Sequence, residues 1–184
     1  MTRPDDSDPT ELRALIERVA RLVSAEAWRG PLNPTQQAAL DYLSRANRFS
    51  RAPSHVADYL CATRGTVSQT LKALERKGFI KAVPSQSDKR RMSYDVTRQG
   101  HELLAQMQDL NLVLDAMTQG QQARLADGLR AMLRALMERR NGQSFGICKT
   151  CRHHRSHEDG AFCALLDLPL APPEIEQICH EHAA

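Results

Sequence analysis

Four of the five cysteines stand in the last forty residues: Cys148 and Cys151 as C-x2-C, Cys163 eleven residues on, and Cys179 after fifteen more. Five of the seven histidines share that stretch. Thiolates at such spacing suit a thiophilic metal, and two centres fit. A structural zinc ion would use all four cysteines, or three with a histidine such as His153 or His180. An iron–sulfur cluster would use Cys148, Cys151, Cys163 and Cys179 alone. The segment has few apolar residues, and so short a piece usually needs a staple to fold. A disordered tail of reduced thiols is the bland alternative, and a disulfide formed under oxidation is the remaining one. A second set of residues sits mid-chain. Arg64, Thr66, Ser68, Gln69 and Lys72 recur on one face of a helical stretch, and Lys89, Arg90 and Arg91 form a run of cations. Arg pairs with guanine edges and Gln with adenine edges, while Ser and Thr are less selective. Neighbouring cations suit phosphate or the minor groove.

The elements that must position these groups can be read from periodicity. Asp8, Pro9 and Glu11 open a helix with Leu12, Leu15, Ile16, Val19, Leu22 and Val23 on one stripe. Asn33-Pro34 with Gln36 opens a second, which holds Leu40 and Leu43, and a loop follows over 47–53. From His55 the pattern becomes helix, turn, helix: Val56 and Leu60 face inward, then Val67, Leu71 and Leu74 at i, i+4, i+7, and Gly78 stops the second helix. Ile80 and Ala82, and on the return strand Met92, Tyr94 and Val96, alternate as the inner face of a hairpin with Ser93 and Asp95 outward. Its tip holds Pro84 and 85–91. Thr97 caps a long helix running through Leu103, Leu104, Met107, Leu110 and Val113. Thr118 and Gln121 open another with Leu125, Leu129, Met132, Leu133 and Leu136. Cys61, in the turn, is expected to be a buried packing residue, with a redox-sensing thiol as the alternative. Trp28 and Tyr42 are expected in the core or an interface.

Charge is distributed in the same sense. Formal net charge is only +3, yet Arg64 to Arg91 holds eight Lys/Arg against Glu75 and Asp88, whereas Phe145 onward holds three against six acidic residues. The middle suits phosphate and the tail does not. No apolar run approaches the roughly 18–20 residues that span a bilayer, and the acidic start MTRPDDSDP lacks a signal-peptide core. A cytoplasmic protein with no membrane partner is expected, where thiol pairs more often hold metal than form disulfides. No nucleophile–base pair, phosphate-binding glycine loop or carboxylate pair argues for an enzyme.

Three stretches carry a family likeness. LKALERKGFIKAV, SDKRR with Asp88 and Arg90, and DVTRQG with Val96 in place of leucine resemble the recognition helix, wing signature and following helix entry of the MarR family of bacterial transcription regulators. The resemblance covers about residues 10–140. It implies a mainly α winged helix-turn-helix fold with a small β-hairpin wing, and homodimers through the N- and C-terminal helices. It also implies binding to palindromic operators in double-stranded DNA, usually as a repressor, with Arg90 in the minor groove. Asp88 would orient Arg90 or the turn. The expected organisation is a disordered 1–7, a MarR-like winged domain over 8–140, and a small Cys-rich metal-binding lobe over 145–184. Two other readings stand beside this one. One is a repressor that answers to a small-molecule effector bound between the winged core and the dimer helices, with a purely structural zinc lobe. The other is a redox protein on a winged-helix scaffold.

Overall fold

A computed structural model describes residues 8–27, 30–84, 92–107, 109–139, 145–157 and 160–183. Helix α1 spans Pro9–Ala27 and begins at Asp8, whose carboxylate accepts the Thr10 amide at 3.0 Å. Helix α2, Pro34–Arg45, opens on a reciprocal box: the Gln36 amide donates to Asn33 Oδ1 at 2.9 Å, and the Asn33 amide to Gln36 Oε1 at 3.4 Å. Two orphan donors are thereby satisfied at one helix end. A short 3-10 turn at Arg48–Ser50 occupies the predicted loop. Helices α3 (Pro53–Tyr59) and α4 (Arg64–Arg76) follow, with Thr63 capping α4. Strands β1 (Ile80–Pro84) and β2 (Met92–Val96) pair antiparallel, Ile80 opposite Val96 and Pro84 opposite Met92.

The core lies where the periodicity puts it. Leu40, Tyr42 and Leu43 of α2, Val56 of α3, Val67, Leu71 and Leu74 of α4, and Ile80 of β1 form one buried cluster. The Tyr42 hydroxyl donates to the Ser50 carbonyl at 2.7 Å, so the polar atom that Tyr42 brings into this core is satisfied. Helix α5 (Arg98–Gln106) is tied to the same core at its first turn. Thr97 Oγ1 accepts the Gly100 amide at 3.2 Å and donates to the Gly78 carbonyl at 2.6 Å. A Cβ on Gly100 would stand 2.3 Å from the Phe79 carbonyl oxygen, and the Thr-x-x-Gly pattern exists to allow that approach.

Three expectations need correction. The helix after Thr97 is two helices: α5 ends at Met107, whose ψ of 62° leaves the helical region, and α6 runs Asp109–Asp115. The alternation of β2 is shifted, since Ser93 is buried and Met92 exposed. The Tyr94 amide donates to the Arg51 carbonyl, and Arg51 pairs with Asp95 at 2.9 Å, so the connection from α2 to α3 covers the face that was expected to meet water. Cys61 is exposed, at a φ of 50°, in the turn between α3 and α4. A left-handed turn residue takes its side chain out of the packed face, and that geometry overrides the general tendency of cysteine to be buried. The expected disorder of 1–7 and the placement of Trp28 lie outside the described residues.

Helix α7, Gln119–Arg139, begins at the Thr118–Gln121 box. Among the described residues, helices α1 and α7 have no buried side chain, and their apolar stripes lie open. Beyond Phe145 comes a 3-10 turn at Cys148–Thr150, then β3 (His154–His157), β4 (Gly160–Cys163) and β5 (Leu168–Leu170) in a three-stranded antiparallel sheet, and a last 3-10 turn at Pro172–Glu176. No helix among the described residues is long and apolar enough to cross a membrane.

Candidate nucleic-acid interface and cysteine cluster

Helix α4 presents the expected row. Val67, Thr70, Leu71 and Leu74 are buried, while Arg64, Thr66, Gln69 and Lys72 are exposed and Ser68 is half-buried. Thr66 is the exception in kind. Its hydroxyl lies 2.9 Å from that of Thr63, and its amide donates to Thr63 Oγ1, so it helps to build the cap. The start of α4 is held by the core behind it and by the four residues Leu60–Thr63 before it, where the Ala62 amide donates to the Ala57 carbonyl. Two helices are thus joined by a short turn with one polar helix face outward, an arrangement that suits entry into a major groove. Asp88, Lys89, Arg90 and Arg91 lie outside the described residues; the strands on either side of them set the hairpin next to α4.

The four tail cysteines converge from three elements. Cys148 and Cys151 bracket a tight turn, the Cys151 amide donating to the Cys148 carbonyl at 3.0 Å. Cys163 ends the central strand β4, paired with His154 on one side and Leu168 on the other. Cys179 follows Ile178, which bridges to Ile147. Cys148, Cys163 and Cys179 are buried and Cys151 is half-buried, with Phe49, Ala161, Leu166, Leu170 and Ile175 around them. Burial first, and then mutual repulsion among the four, pushes the Cys148 thiol up to about 12; burial also raises Cys179. A cation among these thiols would reverse the penalty on Cys148 and Cys179. Among the described residues, no group of three or more His, Cys, Asp and Glu side chains is placed to hold a metal ion. Donors to sulfur are in place. The Ala183 amide donates to Cys151 Sγ at 3.4 Å.

His180 is drawn to another task. Its ring stacks on His55 with centroids 3.7 Å apart, and its amide donates to Ser50 Oγ at 2.8 Å. His153 is half-buried beside Arg152. The residues that sequence reasoning missed are those that seat this segment: Asn47, Arg48, Ser50, His55, Glu174 and Ile178. None belongs to a motif, and only the tertiary packing reveals them. A polar cleft of about 250 Å³ lies between α2, the hairpin and α5, lined by Ser44, Arg51, Lys81, Asp95 and His101 among others. It is smaller than the roughly 300–1,000 Å³ usual for ligand pockets, and two of its charges already pair with each other.

Residues 31–91 match the MarR family. The four tail cysteines lie beyond that match. No curated protein matches the chain. Several solved structures share its fold. FabT of Streptococcus pneumoniae, solved in complex with DNA, is 24% identical, with a TM-score of 0.56 over 71% of this chain and 99% of that one. The S. aureus MepR–DNA complex is 20% identical, with a TM-score of 0.55 over 70% and 96%. A MarR transcriptional regulator from Methanosarcina mazei Go1 is 16% identical, with a TM-score of 0.57 over 69% and 96%. Residues 31–91 are therefore similar to the MarR family, and the chain has the winged-helix fold of these solved structures.

Proposed function

We propose that this chain is a sequence-specific DNA-binding transcriptional regulator, a repressor in its simplest form, acting as a homodimer on a palindromic duplex. The observation that carries the reading is the outward row Arg64, Ser68, Gln69 and Lys72 on a helix held from behind by buried Val67, Leu71 and Leu74. FabT and MepR, which have the same fold, were solved on DNA, and this supports the reading by analogy. A dimer would set two such helices about 34 Å apart, one turn of duplex. The open stripes of α1 and α7 supply the apolar surface for that dimer.

The reading includes a C-terminal metal centre on Cys148, Cys151, Cys163 and Cys179, either zinc or an iron–sulfur cluster. Three buried thiols and a fourth beside them, with an N–H donor to sulfur already in place, support it. The chemistry such a centre supplies is a cross-link among three short strands and two turns that have little core of their own.

The test is binding to a duplex selected from a random pool by the full-length chain. Gln69→Ala should weaken specific binding by about 1–3 kcal/mol and relax base choice at one position per half-site. Arg90→Ala should abolish specific binding and leave the dimer intact. Unchanged affinity in both variants would sink the assignment of α4 and the hairpin to DNA.

A further inference from the structure

The cysteine segment is seated on the stretch that leads into the helix-turn-helix. The Ile178 amide donates to the Arg45 carbonyl at 2.8 Å, and the Asn47 amide to the Ile178 carbonyl at 2.9 Å. Ile178 itself is buried in the winged-helix core. Arg48 donates to Glu174 at 2.6 Å and to the Pro169 carbonyl at 3.0 Å, and the Glu174 side chain is only 8% exposed. His180 stacks on His55 of α3. Phe49, from the same stretch, packs among the thiols. Cys179 stands between the two docking residues Ile178 and His180.

One buried group joins the two halves directly. Asn47 is 1% exposed, and its side-chain orientation is fixed by a chain of donors. The His180 amide donates to Ser50 Oγ, and the Ser50 hydroxyl to Asn47 Oδ1 at 2.7 Å. That leaves Asn47 Nδ2 buried with no hydrogen-bond partner. A buried amide donor left without a partner is costly.

We propose that the thiolate metal centre is seated on the DNA-reading domain, and that occupancy of the centre sets operator affinity through residues 45–55. This rests on the cysteine cluster being a metal centre, as read above. A metal on Cys179 fixes residues 178–180 and so holds the entry to α3 in one place; its loss frees that seat. A helix-turn-helix whose entry is held in place binds duplex more tightly than one that must be ordered on binding.

The experiment uses the full chain purified without oxygen, with zinc, iron and acid-labile sulfide measured per chain. Zinc alone, or iron with sulfide, identifies the centre. Affinity for the selected duplex is then measured before and after metal removal. In the wild type, removal should weaken binding at least tenfold. The double variant Arg48→Met/Glu174→Gln removes the docking ion pair without leaving a buried charge unpaired. It should keep the wild-type metal content, bind the duplex nearly as weakly as the metal-free wild type, and change less than threefold on removal. If the metal-free chain loses its helical structure, amide exchange is compared between the two metal-loaded proteins, and residues 45–60 should exchange faster in the variant. A wild type that holds metal but binds duplex equally well with and without it, or equal protection over 45–60, overturns the coupling and leaves the metal centre standing. A chain that takes up neither zinc nor a cluster overturns both.

Discussion

Helix α1 packs almost nothing in one chain, and shortening its apolar stripe should break the dimer. Leu15 and Val19 are each 54% exposed and lie one turn apart, in a stripe that continues through Leu12, Ile16, Leu22 and Val23. Fully burying a side chain of this kind yields about 1.5–3 kcal/mol, so the exposed half of each offers about 1 kcal/mol. A two-fold interface counts every substitution twice. Leu15→Ala with Val19→Ala should therefore cost the dimer about 4 kcal/mol, close to a thousandfold in its dissociation constant. Folding of the winged core should be untouched, because neither residue belongs to the buried cluster. Sedimentation across a concentration series reads the dissociation constant, and thermal unfolding of the same samples checks the core. A shift of less than threefold, or a wild type that is monomeric at all concentrations, would refute the assignment of this stripe to a partner helix.

Two further outcomes follow from single sites. Gly100→Ala should destabilise the chain by about 1–3 kcal/mol in urea unfolding, against the roughly 1 kcal/mol gain that alanine gives in an open helix, because the new Cβ meets the Phe79 carbonyl; a stabilised variant would show that the close approach is not real. Burial, and then the neighbouring His180, lowers His55 to about 4, with Glu181 and Asp58 opposing. Its folded pKa is below the unfolded value, so the native state loses stability as pH falls from about 6.5 towards 4. Between pH 7 and pH 5 that loss is about 2 kcal/mol, and His55→Gln should remove it. Identical pH dependence in wild type and variant would contradict the placement of His55.

The helix-turn-helix was legible because its apolar residues recur at helical spacing and the elements around it carry local signals that do not depend on the rest of the chain: Asn33 with Gln36, and Thr97. The hairpin was legible in position but not in facing. Period-two reading assumes one wet face, and β2 is covered on both sides, by the core and by Arg51 with its ion pair to Asp95. The break at Met107 was hidden because the apolar period continues across it into α6. The gathering of four cysteines could be suspected from spacing. Their seat on residues 45–55 could not, since the contacts of Asn47, Arg48 and Ser50 with Glu174, Ile178 and His180 span more than a hundred residues and use no repeated pattern.

The central claim is recognition of a specific duplex by α4 and the hairpin beside it. The most direct measurement is selection of duplexes from a random pool by the full-length chain, followed by footprinting on the winner. The account predicts a palindrome whose half-site centres lie about one helical turn apart, with protection on one face of the duplex and loss of that preference in Gln69→Ala. Enrichment of no sequence, or binding whose strength follows salt alone and not sequence, would contradict it.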